Sequence, residues 1–561
     1  MGKKILGLGI AGAFTILSLT SCGGAGGASP EISTPITTAS SGSGTSGMTM
    51  GDIQQLNFSN GSASVDFNSA DDYFLVVNST SQIGDDISLQ LNRGSAAALI
   101  EGEAPSGLAS EKGDCEAVPE GCVSPYEDPA SQFHQYLREM ETVMRESGEF
   151  APLTGGSSSQ AGLTAGGPAA AVTPPAAPSV GDAQDFHVIS TMGSITNYAE
   201  VTGELRLATD NLYVFVDQSV RDNISDADVS TLAHNFEDIA LPRERAIMGG
   251  ESDINFDGHI SILMTCVVNR MAGTGGIVTG FFFPGDLYQR SGVNPASNAQ
   301  EIFYTLVPDP DGKCGTAITS SFAVNNILPG VIGHEYQHMN SFNQHVFKNG
   351  GSTEEPWLNE CLSHFAEDMT GYGNENPSRV KLFLSQPSKT PLVPSTSPTL
   401  AERGACYTFL RYLYEQSPDG NAFLSRLYES NKTGVANLEA AFQGTDPDFN
   451  EFPEFVNRWS IALALSGTGL TSDARYNFRE RSVDPQTGNK TGICIRCDVQ
   501  DGRGTVLDGP VMSPLTTFPN TTIVKGTATQ FYRLNTPSGE IQVNGGANND
   551  FEGSLITLQK S

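Results

Sequence analysis

The residues of this chain best placed to do chemistry are two histidines one helical turn apart, with a glutamate directly after the first: Val331-Ile332-Gly333-His334-Glu335-Tyr336-Gln337-His338. On a helix, positions i and i+4 share a face, so the imidazoles of His334 and His338 can converge on one metal ion. Glu335 projects beside that face and can accept a proton from a water that the metal polarises. Neutral imidazole suits Zn²⁺, and a reactive zinc site keeps three protein ligands and a fourth position open to water. A second segment with helical character follows, Trp357-Leu358-Asn359-Glu360-Cys361-Leu362-Ser363-His364-Phe365-Ala366-Glu367-Asp368, and places Glu360 22 positions after His338. His345 lies further along the first helix, about 10 Å from His338 at 1.5 Å per residue, and is not expected to be a ligand.

The pairing of His-Glu-x-x-His with a later helix bearing Asn-Glu resembles the gluzincin metallopeptidases, and the sequence around both motifs is most similar to their hyicolysin family. The resemblance is specific at 331–372. It runs more loosely through Asn211 to Asp217, Ser252 to Met264 and Tyr407 to Tyr414, and leaves the terminal regions out. It implies His334, His338 and Glu360 as zinc ligands and Glu335 as the general base. The chain departs from the pattern at one position: four residues after the ligand Glu, where thermolysin-like members carry an Asp that supports a ligand histidine, stands His364. Either His364 takes over that support, or Glu367 or Asp368 reaches in from the next turn. Related peptidases draw an oxyanion donor, Tyr or His, from a later helix, which makes Tyr407 the first candidate here and Tyr372 the second.

The activity so implied is that of a zinc-dependent endopeptidase acting on proteins or peptides. Aminopeptidases with this zinc site resemble one another in an upstream Gly-x-Met-Glu-Asn segment, and none occurs between 186 and 333. An exopeptidase of the same clan and a non-catalytic surface adhesin that keeps the fold are the alternatives. A decayed site has no need of Glu335, which serves chemistry and not metal retention. A latent enzyme, with 51–183 removed as a propeptide, is also compatible with the sequence.

Asp253-Ile254-Asn255-Phe256-Asp257-Gly258 has the oxygen spacing that opens a calcium loop, so Asp253, Asn255 and Asp257 form a weaker candidate Ca²⁺ site. Position 12 of such a loop would be Met264, which cannot ligate calcium. A turn feeding the strand at Ile260 is the plainer expectation.

These residues need supports. Pro329 suits the first turn of the His334 helix, and Val331 and Ile332 precede the motif at apolar positions. Residues 328–465 read mostly as helix. Upstream, Leu205 to Leu207, Leu212 to Val216 and Ile260 to Val268 read as strands and Asp226 to Glu237 as helix. The expected fold is α+β, and the resemblance makes it zincin-like. A mixed sheet and the active-site helix would form one lobe, helices the other, with zinc between them. Short alternating runs predict a small β-domain at 52–99 and a second β-domain beyond 475. Phe133, Leu137, Met140 and Met144 predict one amphipathic helix whose charged face is solvated. The expected organisation is a signal peptide (1–21), a Gly/Ser-rich tether (22–50), an N-terminal β-rich domain with one helix (51–149) and a Pro/Ala/Gly linker (150–183). The metallopeptidase domain (184–470) and a C-terminal β-domain (471–561) follow.

The 561 residues carry 31 Lys plus Arg against 63 Asp plus Glu, a net charge of −32 that repels phosphate backbones and excludes nucleic acid as a partner. Lys3 and Lys4, an apolar run to Leu19 and then Thr20-Ser21-Cys22 resemble the lipobox of bacterial lipoproteins. That resemblance implies cleavage before Cys22, lipidation of its thiol and an extracytoplasmic protein anchored to a membrane. Gly23, not Asp, follows the Cys, which points to the outer membrane in a cell that has one. Eight further cysteines in an oxidising compartment predict disulfides. Cys115/Cys122 and Cys494/Cys497 are the close pairs, and order alone leaves Cys266, Cys314, Cys361 and Cys406 unassigned.

Overall fold

A computed structural model describes residues 37–38, 44–82, 86–94, 129–150, 176–271, 276–395, 398–545 and 551–558. The signal peptide, Cys22, most of the tether, Cys115, Cys122 and most of the linker lie outside these residues.

In chain order the elements that frame the site and the β-sheets are β1 (Ile53–Leu56), β2 (Ser62–Phe67), β3 (Asp72–Ser79), β4 (Asp86–Arg93), helix α1 (Pro129–Glu146), β5 (Ala183–Ile189), β6 (Tyr198–Ala208), β7 (Leu212–Asp217), β8 (Ile260–Met264), β9 (Gly280–Phe282) and β10 (Ile302–Thr305). Helices α2 (Leu328–Phe342), α3 (Pro356–Met369), α4 (Asn376–Ser385) and α5 (Leu400–Gln416) come next, and then β11 (Asn520–Lys525), β12 (Thr529–Leu534), β13 (Gly539–Asn544) and β14 (Phe551–Leu558). The molecule is α+β.

Strands β5 to β10 make one mixed sheet in the order β9-β10-β8-β7-β6-β5. Every residue of β7 and β8 is buried, as unbroken apolar runs require of central strands covered on both faces. The strand expected to run from Ile260 to Val268 stops at Met264, and a short helix, Cys266–Met271, follows it. β9 is the edge, antiparallel to β10. One hydrophobic core lies around this sheet and α2, and a second among α3, α4, α5 and the helices up to Phe452–Leu465. Gly404 lets α5 meet α4 backbone to backbone: a Cβ there would sit 2.2 Å from the Arg379 carbonyl oxygen.

The two expected β-domains are one sandwich. β3 is flanked by β14 and β12, both from the far end of the chain, and β4 lies between β11 and β13. The cause is visible in β3 itself, where seven of the eight positions are buried. A strand buried on both faces belongs in the interior of a sheet, and its neighbours on either side come from the far end of the chain. Val76, Phe531 and Ile556 of the sandwich enter the helical core, so the sandwich packs against that lobe.

The expected solvation of the charged face of α1 is also corrected. His134, Arg138 and Glu141 are 7%, 1% and 1% exposed. Phe133, Leu137 and Met144 join the core of the sheet lobe, and the polar stripe beside them is enclosed as well.

Among the described residues, disulfides join Cys266 to Cys314, Cys361 to Cys406 and Cys494 to Cys497. The second links α3 to α5 across 45 residues. Loop-closure entropy for that span corresponds to about 4 kcal/mol of stabilisation. The Asp253 segment is a turn: Asp253 Oδ1 accepts from Gly258 N, Asn255 Oδ1 from Asp257 N, and the Asn255 amide donates to Asp257 Oδ2. These oxygens are engaged within the turn itself and Met264 is buried in β8, so calcium finds no support there. Among the same residues no helix is long and apolar enough to cross a membrane.

Candidate metal centre

α2 begins at Leu328 with Pro329 in its first turn and runs between the sheet and the helical lobe, so almost all of it is buried. Edge strand β9 lies flush against it. A Cβ at Gly280 would meet Val331 Cγ1 at 2.5 Å and the Tyr304 carbonyl at 2.9 Å, so only glycine allows this approach. α3 packs on the other side of α2 and brings Glu360 to the histidines.

His334 Nε2 lies 3.6 Å from Glu360 Oε2, and His338 Nε2 lies 3.6 Å from Glu360 Oε1. Both separations are too long for a hydrogen bond and close to the spacing of about 3.4 Å that ligand bonds of about 2.0–2.1 Å impose between tetrahedral neighbours. His338 Nε2 and Glu360 Oε1 are buried and lack a hydrogen-bond partner, as expected of atoms that await a cation. The nitrogen and oxygen donors fit zinc. A fourth group shares the site: His134 of α1 stands with His334, His338 and Glu360, their ligand atoms all within 4.8 Å of one another.

Outer contacts fix the orientations of the imidazoles. His334 Nδ1 and His364 Nδ1 both bond Glu367 Oε1, at 2.7 and 2.9 Å. Of the alternatives left open by the sequence, Glu367 therefore touches His334, and His364 acts on it only through Glu367. Asn359 Oδ1 lies 3.1 Å from His338 Nδ1, so, of the adjacent Asn-Glu pair on α3, Asn359 orients one imidazole while Glu360 faces both. Arg403 of α5, which sequence reasoning did not single out, pairs with Glu360 Oε2 at 3.1 Å.

Burial drives the His338 imidazole well below its ordinary range and leaves it neutral, the form that ligates. Burial also lowers His334, but Glu360 and Glu367 outweigh it and carry that imidazole to about 9, so a metal would have to displace a proton there. Glu360 is pushed up by burial and pulled down further by Arg403 and the histidines, which holds it ionised. Glu335 is 2% exposed; burial lifts it to about 7 against the opposing charges of His334 and Arg138. Its Oε2 accepts the Phe282 N–H at 2.8 Å, which aims the carboxylate at edge strand β9.

The expected oxyanion donors lie elsewhere. Tyr407 is buried in the helical lobe, where its polar neighbours among the described residues are Asp368, Arg411 and Glu415. Tyr372 is near Arg243 and Asp484. The spacing of Tyr407 on its helix was readable, but the rotation of that helix was not: α5 turns Arg403, one turn earlier, toward Glu360. His345 is enclosed 3.8 Å from Glu354 and takes no part in the cluster.

No protein-family model matches the chain. It is 26% identical over 299 residues to the neutral metalloprotease ShpI of Staphylococcus hyicus, a match that covers 51% of this chain and 64% of that protein. Two imidazoles, one carboxylate and a buried glutamate thus converge in a chain whose similarity to a neutral metalloprotease supports a metallopeptidase relationship.

Proposed function

We propose that the protein is a zinc-dependent endopeptidase of the hyicolysin kind, with the peptidase unit at 184–470, exported and held at a membrane through lipidated Cys22. The convergence of His334, His338 and Glu360, with Glu335 alongside, carries this reading. A bound zinc would supply Lewis-acid polarisation of a scissile carbonyl and of an attacking water.

The chain's own residues do the rest. His334, His338 and Glu360 hold the ion, while Glu367 and Asn359 keep the two imidazoles turned toward it. Glu335 takes the proton from the attacking water at a carboxylate poised near neutrality and returns it to the leaving amine. Strand β9 presents alternate main-chain groups to the cleft, where an extended peptide can pair with them. That mode of binding reads backbone and needs no chain terminus, which favours an endopeptidase over an exopeptidase.

The test is hydrolysis of casein by the purified full chain, with loss on chelation and return with Zn²⁺. Cell fractionation beside it should find Cys22→Ala in the soluble fraction. Zinc uptake without proteolysis in any variant that opens the site would leave the binding-protein alternative, and a Cys22→Ala chain still in the membrane pellet would remove the lipid anchor.

A further inference from the structure

The sheet lobe and helical lobe are bridged at the metal centre by α1, which arrives from a different part of the chain. Its Nδ1 atom of His134 is buried, has no hydrogen-bond partner and lies 3.9 Å from Glu360 Oε1. The His134 and His334 rings are 6.1 Å apart, edge to face. Four side chains of the right chemistry therefore point at one spot, where a hydrolytic zinc site needs three and an opening.

The neighbours of His134 on α1 cover what a substrate would use. On edge strand β9, Phe281 pairs inward with Tyr304, and Phe282 turns its main-chain groups out toward the cleft. The Phe282 N–H is held by Glu335. The Phe282 carbonyl faces Arg138 Nη2 at 3.5 Å, and Arg138, wholly buried, is paired with Glu141 at 2.5 Å. Phe133 packs edge-on against Phe281 with ring centres 5.1 Å apart. Further along, the Tyr136 hydroxyl accepts the Ile195 N–H at 2.8 Å, and Thr142 meets Thr353 at 3.1 Å. His134, Arg138 and Glu141 fall at i, i+4 and i+7, so one stripe of a single helix spans the metal ligands, the edge strand and the general base.

We propose that His134 is a fourth protein ligand to the metal and that α1 is an internal plug, closing the zinc site and the β9 edge until the helix is displaced. The proposal rests on the reading of this cluster as a zinc site. In sequence, α1 is followed by the Pro/Ala/Gly stretch, whose composition suits a proteolytic cut that would free one end of the helix. Because α1 belongs to the same chain, His134 is held at the site at high effective concentration and competes with small ligands for the metal.

The experiment loads the full chain with Co²⁺ and records its visible spectrum for wild type, His134→Ala, His134→Asp and, as a control, the exposed His234→Ala. Acetohydroxamate is then titrated in as a probe for an open metal position. Wild type and His234→Ala should give one tetrahedral spectrum that does not respond to the probe. His134→Ala should respond, should release metal to a chelator about tenfold faster or more, and should cleave casein faster than wild type. His134→Asp, which restores a donor atom, should fall back toward wild type.

A wild-type spectrum that shifts with acetohydroxamate overturns the proposal, whether or not the alanine variant folds. So does a His134→Ala spectrum identical to wild type with one equivalent of Co²⁺ bound. If no chain, wild type included, takes up an equivalent of Co²⁺, the zinc reading itself fails and the plug with it.

Discussion

Glu335→Gln is expected to retain one equivalent of zinc and a normal melting temperature while casein hydrolysis falls by roughly 10²–10⁴-fold, the contribution of a positioned general base. The ligand atoms that converge belong to His134, His334, His338 and Glu360, so the metal should survive the change. The glutamine carbonyl can still accept the Phe282 N–H now bound at 2.8 Å, so the hold on strand β9 survives too. What disappears is a carboxylate raised by burial to about 7, near the pH where a base can both exist ionised and pass its proton on. Because α1 covers the site, the comparison belongs in the His134→Ala background as well as in the intact chain. Measured kcat within a factor of a few of the parent, with zinc bound, would take the role of base away from Glu335.

How much of this was legible in the sequence depends on how local the cause was. The i, i+4 spacing of His334 and His338 and the Pro329 start lie within one helix, and periodicity reports them directly. The support of His334 by Glu367 was narrowed to a few residues of one helix face, because side chains three and four apart share a surface. Tyr407 sits beside Asp368 and Arg411 because only tertiary packing sets the rotation of α5, and that packing turns Arg403 toward Glu360. The single sandwich is not legible for a similar reason: β3 is separated from its partners β12 and β14 by more than four hundred residues, and no local pattern encodes a pairing partner. His134 was hidden differently. Its stripe with Arg138 and Glu141 is present in the sequence, but a polar stripe beside an apolar one ordinarily marks a solvated face, and a buried destination for it shows only when the helix is docked.

Glu360→Gln should cost the protein twice, in metal and in stability, and the two losses should separate. Glu360 is fully buried between two histidines on one side and Arg403, itself 5% exposed, on the other. Removing the negative charge takes away a zinc ligand, so metal content should drop well below one equivalent. It also strands the Arg403 guanidinium in the interior, and breaking a buried pair from one side typically costs about 3–5 kcal/mol. The metal-free variant should therefore melt below the metal-free parent, a comparison that excludes the contribution of bound zinc. Adding Arg403→Met removes the stranded charge, and the double variant should recover most of the melting temperature while still failing to bind zinc. Arg403→Met alone leaves Glu360 free to serve the ion, so the stability of that variant should depend on zinc more steeply than the parent's. If Glu360→Gln instead keeps a full equivalent of zinc and loses only stability, Glu360 is Arg403's partner and not a ligand. His134 would then be the third protein donor, which would make α1 a working part of the site and not its plug.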